Sequence, residues 1–253
     1  MKKYADSVAG GMGLRMGAEV PKQFLKLHEH PVLWYTLDTF LSAFDDLKIV
    51  LVVPAGHEVN AKELIGSLKG GAEGRIDVVV GGDTRFHSVR RGLEAIRARE
   101  VGQPGKAGEK AATPDSAVLP GDVGENAIVF VHDGVRCLVG ADLIRRCYEQ
   151  AIQLGSAVPV VDCPDSVRLV DDEGRSKPID RTRIKLVQTP QTFGADILLQ
   201  AYMMDHQEAF TDEATVVEVA GHEVHLIEGE LMNIKITTPE DMVIAEQLLK
   251  QKG

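Results

Sequence analysis

The sequence predicts an α/β protein on a mostly parallel sheet with helices on both faces. Three observations carry this. Short apolar runs recur at Leu47–Val53, at Ile76–Val80 with only Asp77 interrupting, and at Ile128–Val131. Strands buried on both faces read as such continuous runs. Each run ends in turn chemistry: Pro54, Gly81-Gly82, and His132-Asp133-Gly134. Between the runs lie stripes at helical spacing, and strand alternating with helix argues for parallel pairing through right-handed crossovers.

Phe86, Val89, Leu93 and Ile96 recur at three- and four-residue steps and predict a helix over about Thr84–Ala98. Leu143, Cys147 and Ala151 predict another after Gly140. Arg99–Asn126 holds five Gly and three Pro and reads as a long surface loop. In Val158–Val187, Ser166–Val170 alternates, Asp171–Gly174 supplies a turn, and Ile184–Val187 is extended. That pattern predicts a projecting β-hairpin. Glu223–Ile227 and Asn233–Ile236 read as strands. Thr238-Pro239-Glu240-Asp241 opens a helix with a capping Thr, Pro at the first position and acids in the first turn. Trp34 and its apolar neighbours read as core.

With 253 residues, 44% hydrophobic and 26% charged, the chain can bury a core, and disordered or collagenous classes are excluded. No run approaches the ~20 apolar residues of a membrane span, and Met1–Ser7 lacks the apolar stretch of a secretory signal. A net charge of −10 disfavours nucleic acid as a partner, so any anion site must be made locally. Cys137, Cys147 and Cys163 lack C-x-x-C spacing and read as reduced thiols in the cytoplasm. His28, His30, His57, His87, His206, His222 and His225 show no metal-ligand spacing.

The first chemical candidate is the glycine-rich stretch Ala9–Gly17, with Gly10, Gly11 and Gly13, followed by Pro21-Lys22-Gln23-Phe24. Glycines after a first strand let backbone N–H groups approach phosphate oxygens, and Arg15 and Lys22 add positive charge. It is neither a P-loop nor an intact dinucleotide fingerprint, since Met16 stands where the third glycine belongs. The bland alternative is a tight turn with solvated basic residues. The second candidate is the set of strand ends, where open parallel sheets bind ligands. Gly82, Asp83 and Ser88 follow one strand; Asp133 and Arg136 follow another. Asp133 could bind hydroxyls, or Mg²⁺ through water. Asp83 reads equally well as a helix cap. Thr211 alone reads as an N-cap, Lys235 as an outward strand residue or one aimed at an anion, and Arg181 as a surface charge. Thr189 completes the set.

Eight motifs occur in order: Ala9–Met16, Pro21–Phe24, Gly81–Arg85 with Ser88, Val131–Arg136, Asp180-Arg181, Gln188–Phe193, Thr211–Ala214 and Asn233–Asp241. Together they resemble the 2-C-methyl-D-erythritol 4-phosphate cytidylyltransferase family from Lys3 to about Leu249. The resemblance implies a single Rossmann-like nucleotidyltransferase domain over 1–253 with a β-arm at about 158–187 that reaches a partner subunit in a homodimer. It implies transfer of cytidylyl from CTP to 2-C-methyl-D-erythritol 4-phosphate in non-mevalonate isoprenoid biosynthesis, with release of pyrophosphate and Mg²⁺ on the triphosphate. Arg15, Lys22, Arg181 and Lys235 would be catalytic. Ala9, Gly10, Gly11, Gly13, Gly82, Asp83 and Ser88 would hold the nucleotide, and Asp133, Arg136, Ser166, Thr189 and Thr211 the acceptor. No direct metal ligand is expected, with Asp133 reaching the ion through water. Rival readings are a ribitol-5-phosphate cytidylyltransferase, an inactive nucleotide-binding module, and an NAD-dependent enzyme.

The chain departs from the family pattern in four places. Asp6 and Ser7 stand in a first strand that should be apolar, where unpaired polar groups cost several kcal/mol; the expectation is a shortened strand or a weakened protein. Cys137 follows Arg136 where proline is usual, the 99–126 loop is long, and Ser166 stands where some members carry threonine.

Overall fold

The computed structural model describes residues 1–11, 20–68, 72–100 and 127–252. The elements run β1 (Lys2–Val8), β2 (Lys26–Leu27), β3 (His30–Pro31), α1 (Val32–Ala43), β4 (Lys48–Val53), α2 (Glu58–Gly66), β5 (Ile76–Val80) and α3 (Arg85–Glu100). Then come β6 (Ala127–Asp133), α4 (Ala141–Leu154), β7 (Ser156–Asp162), β8 (Val167–Val170), β9 (Ser176–Ile179), β10 (Lys185–Val187) and β11 (Gln191–Gly194). The chain ends with α5 (Ala195–Ala201), α6 (Glu213–Val219), β12 (Leu226–Glu228) and α7 (Pro239–Lys252).

The main sheet has the order β10-β7-β11-β6-β1-β4-β5, with β12 also paired to β7. β6, β1, β4 and β5 are parallel. β11 inserts antiparallel between β6 and β7. From β1 the chain steps outward through β4 to β5, then returns through α3 to place β6 on the other side of β1. The strand order therefore reverses between β1 and β6, and ligands of open α/β sheets bind outside the carboxyl ends at such a reversal.

Alternation along the strands builds two cores. Ala5, Ile49, Leu51, Val53, Ile128 and Phe130 face α1 and α4. Tyr4, Val8, Val50, Val52, Val129, Val131 and Phe193 face α3, α5 and α6, where the stripe Phe86, Val89, Leu93 and Ile96 is fully buried. A third cluster, Leu27, Val32, Val135, Leu138, Ile236 and Ala245, seats α7 near the β6 turn.

The polar pair in β1 does not shorten it. All seven residues pair with β6 and Tyr4–Val8 pair also with β4, placing Asp6 opposite Val50 and Val131. Backbone ladders are indifferent to the side chain, so the cost falls on the side chains: both Asp6 oxygens and Ser7 Oγ are buried without a hydrogen-bond partner. Asp6 points to the α3 face and lies against Gly92, where any side chain would collide with the carboxyl.

Other expectations change in detail. α3 extends through Arg99 and Glu100, so the expected loop begins no earlier than residue 101, and 101–126 lie outside the described residues. Asn233–Ile236 is not a strand. Asn233 turns inward, donating from Nδ2 to the Thr189 carbonyl at 2.8 Å, and the Ile236 N–H bonds the Val135 carbonyl at 3.1 Å. The strand expected at Glu223–Ile227 is three residues, Leu226–Glu228. Within the expected arm, β8 pairs with β9 as a separate two-stranded ribbon turning at Asp171–Gly174, whereas β7 and the extended segment Ile184–Val187, which forms β10, belong to the main sheet. α7 starts as the sequence predicts: the Asp241 N–H donates to Thr238 Oγ1 at 3.4 Å, and Asp241 Oδ2 accepts the Thr238 N–H at 2.8 Å, a reciprocal cap.

Candidate active site

At the carboxyl end of β1, Ala9 continues toward β4, its N–H bonding the Val52 carbonyl at 2.8 Å. Across the reversal, the Gly134 N–H bonds the Val8 carbonyl at 2.9 Å. The glycine turn and the His132–Arg136 corner are thereby stitched together. Residues 12–19, including Gly13 and Arg15, lie outside the described residues. Gln23, buried in the short 3₁₀ turn Lys22–Phe24, donates from Nε2 to the Ala9 carbonyl at 2.5 Å. This bond holds half-buried Lys22 beside the glycine turn.

Ser88 lies buried beneath two glycine turns. A Cβ at Gly10 would stand 3.1 Å from Ser88 Oγ, and one at Gly81 2.9 Å. The hydroxyl donates to the Thr84 carbonyl at 2.9 Å and accepts the Gly82 N–H at 3.2 Å. Thr84, not Asp83, caps α3, its Oγ1 accepting the His87 N–H at 3.2 Å. Asp83 is left exposed at the mouth of the turn.

β6 ends on Asp133, 7% exposed and ringed by cations. Arg85 Nε stands 3.2 Å from Oδ1; Lys235 Nζ is 2.8 Å and Arg136 Nε 3.8 Å from Oδ2. Burial alone would raise this carboxyl, but Arg85, Lys235 and Arg136 hold it well below the carboxylate range. Arg136 is itself anchored, Nη1 donating to the Asn233 carbonyl at 2.8 Å. Beyond Asp133, Arg85 grips Glu213, which is fully buried. Nη2 is 3.0 Å from Oε2 and Nη1 bonds Oε1, while the Tyr202 hydroxyl donates to Oε1 at 3.1 Å.

Behind Asp133 sits a second chain of bonds. Thr189 Oγ1 accepts the Asp133 N–H at 3.1 Å and lies 3.0 Å from His132 Nδ1, while His132 Nε2 lies 3.3 Å from the Arg136 carbonyl. The carbonyl requires a proton on Nε2, so Nδ1 accepts from the threonine. Burial pushes the imidazole down to about 3, so it stays neutral. Thr189 therefore orients the corner from inside.

Among the expected site residues, the fold brings together Ala9, Gly10, Gly11, Gly82, Asp83 and Ser88 around the glycine turns. It gathers Asp133, Arg136, Thr189 and Lys235 around the β6 corner. Ser166 and Arg181 stand exposed on the ribbon, where the Arg181 guanidinium donates to the Pro164 carbonyl; among the described residues neither bonds the Asp133 cluster. Thr211 is exposed, and α6 is capped instead by Asp212, whose Oδ1 accepts the Thr215 N–H at 3.0 Å. Sequence reasoning passed over Arg85, Glu213, Tyr202 and Gln23. Arg85 and Glu213 stood in plain view inside quoted motifs, but their pairing spans 128 positions.

A family model described as 2-C-methyl-D-erythritol 4-phosphate cytidylyltransferase (IspD) matches residues 7–102 and 116–251. The chain belongs to this cytidylyltransferase family. A relative of that name from Bacteroides thetaiotaomicron is 43% identical over 249 residues, covering 98% of this chain and 100% of the relative. Its counterpart from Porphyromonas gingivalis is 41% identical, covering 98% of each. The solved 2-C-methyl-D-erythritol 4-phosphate cytidylyltransferase from Thermus thermophilus is 30% identical with a TM-score of 0.68, covering 99% of this chain and 100% of the other. That from Francisella tularensis is 27% identical with a TM-score of 0.70, covering 98% and 99%. Membership makes the chain a nucleotidyltransferase enzyme. Among the described residues no helix is long and apolar enough to cross a membrane.

Proposed function

We propose that this chain transfers the cytidylyl group of CTP to 2-C-methyl-D-erythritol 4-phosphate. The observation that carries the reading is the Asp133 cluster beside the glycine turn, at the sheet reversal of a cytidylyltransferase-family chain. A phosphate oxygen of the acceptor forms a bond to the α-phosphorus. The bond from that phosphorus to the oxygen bridging the β-phosphate breaks opposite it, and its electron pair leaves with pyrophosphate. Little covalent work falls to the protein, so catalysis is positioning and charge stabilisation.

In this reading, the turns at Ala9–Gly13 and Gly81-Gly82 let the nucleotide approach the backbone closely, with Asp83 at their mouth, and Ser88 sets the spacing of the two turns. Arg15 and Lys22 neutralise charge on the α-phosphate and the leaving pyrophosphate. Asp133 accepts acceptor hydroxyls while orienting Lys235 and Arg136 toward the acceptor phosphate. Arg181, Ser166 and Thr211 are exposed and free to complete a site in a homodimer, with Arg181 and Ser166 serving the partner subunit. The exposed Leu169, Val170, Leu186 and Val187 on and beside the ribbon support such a contact. Three free cysteines, two of them buried, agree with a cytoplasmic setting.

Mg²⁺ is commonly held by one or two carboxylates together with substrate phosphates and waters. Asp133 Oδ2 already takes Lys235, which leaves its remaining lone pairs for a water. Asp133 would be the residue that holds the ion, through a water. When bound it supplies charge neutralisation across the triphosphate oxygens.

The test is pyrophosphate release with CTP and Mg²⁺, comparing methylerythritol phosphate with ribitol 5-phosphate. Release with the first alone is expected. Release with ribitol phosphate alone reassigns the acceptor, and silence with both from folded protein overturns the reading.

A further inference from the structure

Glu213 touches nothing in the proposed substrate site, yet it is wholly buried, and its charge is spent on one residue that does reach the site. Its place is fixed by a chain of bonds from the sheet. Gln191 of β11 donates from Nε2 to Asp212 Oδ2 at 2.9 Å and accepts the Ala214 N–H at 2.8 Å, holding the residues on either side. Tyr202 holds Oε1 from behind.

Against this fixed carboxylate the Arg85 guanidinium has one orientation. Both Nη groups face Glu213, which leaves Nε for Asp133 Oδ1. A guanidinium is a rigid fork that prefers two parallel bonds to one carboxylate. Asp133 is also a carboxylate within reach. If Glu213 did not occupy the fork, Arg85 would turn it onto Asp133 and take both oxygens. Oδ2 now belongs to Lys235, and the remaining lone pairs of Asp133 are what an acceptor hydroxyl could use. The second carboxylate thus limits Arg85 to a single bond on the first.

We propose that Glu213 is a positioning residue for the acceptor: it restrains Arg85 to one bond with Asp133 and so keeps Asp133 and Lys235 available to the acceptor. This rests on the transfer reading above.

The test compares Glu213→Gln, Arg85→Met and the double variant in the full-length protein, with folding followed by circular dichroism and thermal melting. Glu213→Gln is expected to raise the acceptor KM about tenfold while changing the CTP KM less than about twofold. Once Arg85 is gone there is no fork to restrain, so the double variant is expected to match Arg85→Met within about twofold. A structural role alone would lower the melting temperature without separating the two KM values. Removing one partner of a buried pair can unfold a protein. Tyr202→Phe therefore serves as the milder variant, losing only the phenol bond to Oε1, with a two- to fivefold rise expected in acceptor KM. An unchanged acceptor KM in whichever variants fold, or effects that multiply in the double variant, overturns the inference while wild-type turnover leaves the transfer reading standing. A silent wild type overturns both.

Discussion

Asp6 and Asp133 occupy adjacent strands of one sheet, and both point to the face covered by α3. Both are buried, at 0% and 7% exposure. Their surroundings are opposite. Asp133 lies where the strands end and receives Arg85, Lys235 and Arg136. Asp6 lies two residues deeper, between Val50 and Val131, against Gly92 and with no hydrogen-bond partner. Burial raises Asp6 well above the usual carboxylate range; the nearby Glu213 charge adds to this and Arg85 only partly opposes it. For Asp133 the same burial is overcome by the cations. Depth does not decide whether a buried carboxyl is an ion; its partners do. The strand end is where long basic side chains can reach, and the strand middle is covered by helix.

The contrast breaks most visibly at Asp133. Asp133→Asn removes the charge that three cations share, and kcat/KM for transfer is expected to fall on the order of 10²–10³-fold. Steady-state kinetics on folded protein checks this, and a loss below tenfold would remove Asp133 from the site. At Asp6 the sign reverses. Leucine keeps the branching of aspartate without the polar atoms. Asp6→Leu is expected to stabilise the protein by about 2–3 kcal/mol near neutral pH, read from denaturant unfolding, with turnover retained.

The pH dependence separates the two groups again. Between Asp6's unfolded value and its raised native value, the native state holds a proton that the unfolded chain has lost. Stability therefore falls as pH rises through that window, by at most about 1.4 kcal/mol per pH unit. Asp133 works the other way. Its native value is lowered, so its contribution is present above the unfolded value and is lost as pH falls below it. Denaturant midpoints against pH should show the first slope vanish in Asp6→Leu and the acid-side loss shrink in Asp133→Asn. The smallest effect is that of Asp6→Asn. It keeps a buried polar group and removes the titration, so stability near pH 4 should stay within about 1 kcal/mol of wild type while the slope above it disappears. A persisting slope would assign it to another group.

Much of this was legible before any coordinates. β4 and β6 announce themselves because both faces are buried, β5 is as apolar although it lies half-buried at the sheet edge, and the stripe Phe86–Ile96 could face only one way. The α7 cap is local chemistry within four residues, and the structure shows Thr238 capping the helix. Local chemistry failed where two neighbours compete. Thr84 and Asp212 cap their helices rather than Asp83 and Thr211, because a cap is settled by where the helix axis begins. The stretch Asn233–Ile236 has a strand's composition, yet its polar Asn233 finds the Thr189 carbonyl and pulls the segment off the sheet. Of the two consequences expected in β1, the shortened strand does not occur, because the ladders on both sides carry it whatever its side chains; the cost falls on the unpartnered Asp6 and Ser7 side chains. Arg85, Glu213 and Gln23 act through partners distant in sequence, and no local pattern announces such partners.

The reversal of strand order also sets a timetable. The glycine turn comes from the first strand, Asp133 from the middle of the chain, and Lys235 from a segment just before the final helix. A chain growing from its N-terminus makes the glycine turn first, while the cation on Asp133 Oδ2 arrives near the end of synthesis. Until then Asp133 has nothing from Lys235 to share its charge, and the seat of α7 near the β6 turn is empty. Completion of the proposed acceptor pocket thus coincides with completion of the fold, so a prematurely terminated chain holds the glycine turn without Lys235 on Asp133.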